Sequence, residues 1–171
     1  MWNHFLDTLL CVLFSIWVFQ IVSIGQLFMC KKYRLVADTV VYESAKQLVG
    51  CAATEIPTMD TEWVALARCV DSVNVYSVST ARVPWSARTS IAFVVKMLNR
   101  NAIFVVENKY KPLNPISKAL VLIHECTHLV LDTEDYAYTW QPKFLDLSQK
   151  QHLNNADSFV QLIGDQCVIV S

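Results

Sequence analysis

The chain has 171 residues and a formal net charge of −1, and this length is enough for one domain with a sizeable core. Because the charge is close to zero, and the sequence has neither a basic stripe nor an acidic tract, the composition excludes the usual electrostatic patterns of nucleic-acid binding and of a solvating tail. We expect no nucleic-acid partner.

The N-terminal part of the chain is apolar from about residue 5 to residue 29, which is long enough to cross a bilayer. The sequence therefore predicts a hydrophobic helix at residues 1–30 and a separate domain at residues 31–171. Three interpretations stay open: an uncleaved membrane anchor, a signal peptide cut near Ser23 and Gly25, and a buried helix. We favour membrane association through residues 5–29, because the run is long for a signal peptide and no Lys or Arg precedes it.

Basic residues follow the apolar segment directly, at Lys31, Lys32 and Arg34. If the segment is an anchor, the positive-inside rule places these residues, and the domain after them, on the cytoplasmic side. A cleaved signal peptide would instead lead to secretion. We expect a membrane-anchored or secreted protein, and the side of the membrane stays open.

Two helices are predicted after the basic residues. Residues Val36 to Gly50 have apolar side chains at helical spacing, and Gly50 is a plausible C-terminal stop. A turn-rich break surrounds Pro57, and a second helix is predicted from Thr61 to Val70. We expect both helices to serve as scaffold.

A short β region follows the two helices. Val73 to Val78 alternates, whereas Ile91 to Met97 fits either a strand or a helix. Ala102 to Val106 is a clearer strand, and it ends in a polar turn from Glu107 to Pro112. The order of elements predicts an α+β domain, with Ala102–Val106 at the edge of the sheet beside the next helix.

The six cysteines leave their pairing open. In an oxidising compartment a disulfide could join Cys51 to Cys69, or Cys69 to Cys167, and buried free thiols are an equal alternative. The cysteines therefore do not decide the compartment.

An apolar helix is predicted from Pro115 to about Leu131. Asn114 can cap it, and Pro115 fits its first turn, where a missing N–H costs nothing. Apolar residues cover nearly the whole circumference, so we expect the helix to be buried. Charged or metal-binding groups inside a buried helix need a partner such as an ion.

The helix contains the sequence His-Glu-x-x-His, at His124, Glu125 and His128. Histidines four residues apart leave the same face of a helix and can share one Zn²⁺, while Glu125 lies beside them to accept a proton from water. This pattern is typical of a zinc peptidase site. The alternative is a pair of histidines on an ordinary amphipathic helix.

A zinc ion bound by two histidines needs a third protein ligand and keeps a fourth position open for water. Three carboxylates follow the helix closely, at Asp132, Glu134 and Asp135. The extended metzincin pattern is disfavoured, because it requires a glycine at Leu131 and a third histidine at Glu134. The residues alone leave the choice of third ligand open.

Together with two later stretches, these residues resemble the deuterolysin and peptidyl-Lys metallo-endopeptidase family, known as aspzincins. The loop from Asp132 to Thr139 is similar to the family's Gly-Thr-x-Asp-x-x-Tyr-Gly loop, with both glycines replaced at its ends. The stretch from Asn155 to Phe159 is similar to the family's Asn-Ala-Asp-Ser-aromatic helix. The resemblance implies an α+β, zincin-like domain with a small antiparallel or mixed sheet packed on the His-Glu-x-x-His helix.

The resemblance also implies roles for three further residues. Asp135 becomes the third ligand of one Zn²⁺, and Tyr138 becomes the phenol that hydrogen-bonds the transition-state oxyanion. Asp157 matches a residue of the lysine pocket in peptidyl-Lys members, and orienting a zinc-bound histidine or capping a helix are its alternative roles. Those members have a Glu one turn later, where this chain has Val160, so we infer no lysine specificity.

The sequence therefore predicts a zinc metalloendopeptidase that hydrolyses protein or peptide substrates with a metal-activated water and Glu125 as general base. The alternative is a non-catalytic binding or regulatory protein on a decayed peptidase fold. Intact Glu125 and Tyr138 argue against decay, since neither is needed merely to hold zinc. His4 and His152 are not favoured as ligands, and we expect His152 to be solvated.

Overall fold

A computed structural model describes residues 39–84, 87–96 and 101–167. The hydrophobic segment predicted at residues 1–30 lies outside the described residues. In the part of the chain that the structure describes, no helix is both long enough and apolar enough to cross a membrane.

The first two helices pack against each other. Helix α1 spans Thr39–Glu55 and helix α2 spans Asp60–Ser72, with a 3₁₀ turn at Pro57–Met59 between them. The predicted stop at Gly50 is wrong, since α1 continues through it. A glycine destabilises a helix by only about 1 kcal/mol, whereas burial of a valine such as the adjacent Val49 contributes about 1.5–3 kcal/mol.

The strands form a three-stranded sheet in the order β1-β3-β2. Strand β1 is Asn74–Val78, β2 is Ala92–Val94 and β3 is Ala102–Val106. Strand β3 pairs in parallel with β1 and antiparallel with β2. The sheet is therefore mixed, and the helices around it give the predicted α+β class.

The helix with the two histidines is α4, Pro115–Val130. It follows a one-turn helix, α3 at Glu107–Tyr110, where the sequence predicted a polar turn. The predicted cap is confirmed, because the Asn114 side chain accepts a hydrogen bond from the backbone N–H of Ser117 at 2.8 Å. The local sequence thus fixes where α4 begins.

The expectation that Ala102–Val106 is the edge of the sheet is wrong, because β3 is paired on both sides. The physical reason is its burial: all residues of β3 except Phe104 are buried, which is typical of a central strand that is covered on both faces. Strand β2 lies at the side of the sheet instead, and it packs against α4.

The C-terminal part begins with a 3₁₀ turn at Pro142–Asp146, followed by helices α5, Gln149–His152, and α6, Ala156–Cys167. Helix α6 packs on α1 and α4. The Phe159 ring meets the edge of the Trp63 ring, with centroids 5.9 Å apart. The main core therefore lies where α1, α2, α4 and α6 meet.

A disulfide joins Cys51 in α1 to Cys167 at the end of α6. Neither of the two predicted pairings is found, because Cys69 is a buried free thiol, as is Cys126. The bonded cysteines are separated by 116 residues in sequence. The bond ties the last described helix to the first.

Candidate metal centre

The two histidines of α4 converge on one point. His124 and His128 approach each other through their Nε2 atoms, which lie 3.3 Å apart. Their side chains are only 12% and 11% exposed. The spacing of four residues therefore brings two nitrogen donors side by side on a mostly buried helix face.

Asp135 completes a group of three donors. After α4 the backbone turns at Asp132, whose φ is 58°, a conformation that aspartate adopts more readily than most residues. Asp135 Oδ1 lies 3.2 Å from His124 Nε2 and 3.4 Å from His128 Nε2. These three side chains, His124, His128 and Asp135, could hold a metal ion.

The loop after α4 orients the ring of His128. Its Nδ1 lies 2.9 Å from the carbonyl oxygen of Thr133, so Nδ1–H donates to that carbonyl and the Nε2 lone pair is left for a cation. The Thr133 hydroxyl lies 2.7 Å from Thr127 Oγ1 on α4. Sequence reasoning missed Thr133, although the threonine of the family's Gly-Thr motif was a signal for it.

Asn155 fixes the backbone of the loop that contains Asp135. Its buried side chain accepts hydrogen bonds from the N–H groups of Tyr136 at 2.9 Å and Ala137 at 3.3 Å. It also donates to the Ala137 carbonyl at 2.9 Å, and a backbone bridge joins Glu134 to Asn155. Sequence reasoning identified Asn155 only as part of a motif and missed this role.

Asp157 contacts both the three-donor group and the following loop. Its Oδ1 lies 3.5 Å from His124 Nδ1, and its Oδ2 accepts a hydrogen bond from Thr139 N–H at 2.5 Å. Burial alone would raise the pKa of this carboxyl, but the contacts with His124 and Thr139 outweigh burial and lower it. Among the roles predicted for Asp157, this geometry favours orientation of His124.

The convergence of the donors has a large electrostatic effect. Burial alone would lower the pKa of His124, but Asp135 and Asp157 outweigh it and raise that pKa to about 10. Burial would also lower the pKa of His128, but Asp135 outweighs it and raises that pKa. Burial would raise the pKa of Asp135, but the two imidazoles outweigh it and lower that pKa. The three groups therefore favour a positive charge between them, and a metal ion competes with protons for the same lone pairs.

Glu125 is the neighbour of His124 on α4 and is 5% exposed. Burial raises the pKa of its carboxyl to about 7, against the opposing effect of His124 and His128. A carboxyl with a pKa near neutrality is suited to accept a proton and release it again.

Tyr138 lies at the rim of the three-donor group. Its hydroxyl donates a hydrogen bond to Asp135 Oδ2 at 3.2 Å, and its ring stacks on His124 with centroids 6.0 Å apart. Burial and the charge of Asp135 raise the pKa of the phenol above its ordinary value. The hydroxyl therefore stays protonated and remains a donor at neutral pH.

A cleft of about 410 Å³ opens beside these residues. It is bounded by α4, α6, the loop from Tyr138 to Gln141, and the segment from Thr89 to Ala92 at the start of β2. Both Glu125 and Asp157 line it. The cleft therefore brings a ligand within reach of His124, Glu125, Tyr138 and Asp157.

The remaining histidines have other surroundings. His4 lies outside the described residues. His152 is half-buried rather than solvated, because its ring packs edge-on against Phe144 with centroids 5.0 Å apart and its Nδ1 lies 3.1 Å from Ser158 Oγ. His152 thus belongs to the packing of the C-terminal helices.

In comparisons with known proteins, no family model matches the chain, and no curated protein or solved structure matches it either. The chemistry of the site is therefore the basis on which a function can be inferred.

Proposed function

We propose that the protein is a zinc-dependent metalloendopeptidase of the aspzincin type, with a zincin-like domain. The observation that carries the proposal is the triangle of His124 Nε2, His128 Nε2 and Asp135 Oδ1, whose sides measure 3.2, 3.3 and 3.4 Å. With zinc–ligand distances of about 2.0–2.1 Å, two ligands of a tetrahedral zinc lie roughly 3.3–3.4 Å apart. The three donors therefore fit one Zn²⁺.

Glu125 is the general base of the proposed reaction. A bound Zn²⁺ supplies Lewis acidity, which polarises a peptide carbonyl and makes water easier to deprotonate. The Glu125 carboxylate accepts the proton of the attacking water and then gives it to the leaving amine. Its burial supports this role, because a desolvated carboxylate is a stronger base than an exposed one.

Tyr138 stabilises the negative charge that develops on the scissile carbonyl oxygen. Its phenol is a neutral donor held beside Asp135, at the edge of the three-donor group. The single O–H proton is donated to Asp135 Oδ2, so this hydrogen bond has to be exchanged for one with the substrate oxygen, and the neutral donor then lowers the barrier.

Strand β2 is the proposed support for the substrate backbone. Ile91 and Ala92 line the cleft together with Glu125, and β2 packs against α4. Among the described residues, no strand pairs with the side of β2 that faces away from β3. An extended peptide can therefore add to this side as a further strand.

The Cys51–Cys167 disulfide supports a domain that lies in an oxidising compartment, because disulfides persist there and are rare in the cytosol. A secreted protein satisfies this condition. An anchor at residues 5–29 also satisfies it if the domain lies on the non-cytoplasmic side. That orientation is opposite to the one that Lys31, Lys32 and Arg34 favour under the positive-inside rule.

The Glu125→Gln variant tests the proposed activity. Full-length wild type and variant are incubated with a denatured protein mixture, and new peptide termini are identified by mass spectrometry. Glutamine preserves size but cannot accept the proton, so we expect zinc to be retained and the rate to fall by about 10²–10⁴-fold.

Glu134→Gln is the matched control, because Glu134 is an exposed carboxylate of the loop that follows α4, and this variant should cut like wild type. New peptide termini from neither wild type nor Glu125→Gln would support the alternative, a non-catalytic binding or regulatory protein, whereas equal cutting by both would assign the base to another residue.

A further inference from the structure

Positive charge is concentrated in one part of the chain. The sequence from Val73 to Ile123 has seven Lys or Arg residues and one acidic residue, Glu107, whereas the rest of the chain has seven Lys or Arg residues and fourteen acidic ones. This stretch contains the sheet, α3 and the beginning of α4. A nearly neutral chain therefore contains a distinctly basic part.

Three of these basic residues meet where α3, α4 and the segment before β2 come together. Lys109 Nζ donates hydrogen bonds to the carbonyl oxygens of Arg88 at 2.7 Å and Ser90 at 3.2 Å. Lys118 Nζ lies 5.6 Å from the centre of the ring of Tyr110, the neighbour of Lys109 on α3. We call Arg88, Lys109 and Lys118 the basic cluster. Its members are far apart in sequence, so only the fold brings them together.

The basic cluster borders one end of the cleft beside the three-donor group. Ser90 lines the cleft from the segment before β2, and Leu120 and Val121 line it from α4. Among the described residues that line the cleft, the carboxylates are Glu125 and Asp157, which lie at the other end, beside His124. The aligned peptide dipoles of α4 add partial positive charge at its beginning. The cleft is therefore positive at the end that is away from the three-donor group.

The geometry of α4 gives the distance between the basic cluster and the reacting groups. Lys118 precedes His124 by six residues on this helix, which corresponds to roughly 9 Å along the helix axis. A peptide that is extended along β2 spans about 3.3 Å per residue, and β2 packs beside α4. A side chain about three residues from the scissile bond therefore reaches the basic cluster.

We propose that the basic cluster binds a carboxylate of the substrate, on an Asp or Glu side chain about three residues from the scissile bond. The inference rests on the proposed function, because it names part of the substrate of the same site. The positive potential of three cations attracts an acidic residue and repels a basic one. It also fixes the direction in which the peptide lies in the cleft, because one end of the cleft is positive and the other is not.

A peptide series tests this inference. Cut sites are first mapped with full-length wild type, and the second to fourth residues on each side of one scissile bond are then varied in turn among glutamate, glutamine and lysine. Glutamate and glutamine have nearly the same shape, so their comparison isolates charge. At one position we expect kcat/KM for glutamate to exceed that for glutamine by about three- to fivefold, the upper range for an exposed ion pair. Lysine should give the lowest value.

Salt provides a second test of the same preference. Raising NaCl from about 50 mM to about 500 mM should reduce the glutamate-to-glutamine ratio of kcat/KM towards one, because salt screens exposed charges. Equal kcat/KM for glutamate and glutamine at every position, at low salt, would overturn the inference.

Variants of the basic cluster identify it as the origin of the preference. Lys118→Gln should lower the glutamate-to-glutamine ratio, and Arg88→Glu/Lys118→Glu should make lysine better than glutamate, because two of the three charges are reversed. A glutamate in the first turn of α4 is compatible with the helix. Lys150→Glu is the control, because Lys150 is exposed on α5 and does not line the cleft. A wild-type ratio in Lys118→Gln, or an equal loss in Lys150→Glu, would overturn the inference.

Binding separates a failure of this inference from a failure of the proposed function. Two fluorescein-labelled alanine peptides, with either glutamate or glutamine at every third position, are measured for binding to full-length Glu125→Gln by fluorescence anisotropy. Tighter binding of the glutamate peptide, lost when Lys118→Gln is added, would support the basic cluster even if wild type cuts no peptide. Equal binding of the two peptides would overturn the inference, and cleavage by wild type without a charge preference would leave the peptidase activity standing.

Discussion

Asp157 accepts a hydrogen bond from the backbone N–H of Thr139 at 2.5 Å. The other oxygen of the same carboxylate lies 3.5 Å from His124 Nδ1. One side chain at the start of α6 therefore positions His124 and the segment next to Tyr138 at the same time. The groups proposed to bind metal and to stabilise the oxyanion should respond together to a change at this residue.

We expect Asp157→Asn to weaken zinc binding by about 10–100-fold, the usual effect of losing a carboxylate that orients a ligating histidine. Competition with a fluorescent chelator measures the affinity. Asp165→Asn, at an exposed position of the same helix, is the control and should bind zinc like wild type. Equal affinities for all three proteins would show that His124 does not depend on Asp157.

Full-length protein should contain one Zn²⁺ per chain, and the His124→Ala/His128→Ala double variant should contain none. The double variant loses two of the three donors, which leaves a single carboxylate. Inductively coupled plasma mass spectrometry measures the metal content, with His152→Ala as a control because His152 contacts Phe144 and Ser158 instead. Undiminished zinc in the double variant would contradict the proposed ligands.

We expect Tyr138→Phe to lower kcat by about 10²–10³-fold, the usual effect of removing one oxyanion donor. Zinc content should stay at the wild-type level, because the phenol is not a ligand. Steady-state kinetics on a peptide cut by the wild type measures the effect, and Tyr136→Phe in the same loop is the matched control. A kcat equal to that of the control would assign oxyanion stabilisation to another group.

We expect Asn155→Ala to lower the free energy of unfolding by about 2–4 kcal/mol, because it removes several buried hydrogen bonds and leaves loop N–H groups unpaired. Urea denaturation measures this change. Asn154→Ala is a suitable control, since Asn154 contacts Glu134 through its backbone carbonyl. Superimposable unfolding curves would mean that Asn155 does not support the loop.

Cys51 and Cys167 should resist alkylation in protein taken from its own compartment, whereas Cys69 and Cys126 should be labelled after unfolding. Differential alkylation with mass spectrometry reads each cysteine separately. Reduction of the bond should lower the free energy of unfolding by about 2–5 kcal/mol. Labelling of Cys51 and Cys167 without reductant would contradict an oxidising location.

The long helix could be predicted closely from the sequence because its signals are local. Asn114 and Pro115 mark its beginning, and the relation between His124 and His128 follows from helical geometry alone. The choice of Asp135 over its neighbouring carboxylates came from the resemblance to a family, since no local rule distinguishes them. The structure brings that residue to the two histidines.

Features that depend on which segments meet in space were not predictable in the same way. The position of β3 in the centre of the sheet depends on pairing with β1 and β2. The strand propensity of a segment does not indicate which other strands lie beside it. The Cys51–Cys167 bond joins distant parts of the chain. The role of Asn155 arises from one side chain that reaches a loop far before it in sequence.

Two contacts fix the chain at the beginning of α6: the bridge from Asn155 to Glu134 and the hydrogen bond from Thr139 to Asp157. The stretch between Trp140 and Leu153 leaves the three-donor group and returns to it, and both of its ends are fixed at the same helix. Its exposed positions, such as Leu145 and Leu153, can therefore change during evolution, or by design, without moving Asp135, whereas Phe144 and Leu147 are buried beside Ala137 and have to stay apolar. A change at Trp140, which lines the cleft, would alter which ligands the cleft binds.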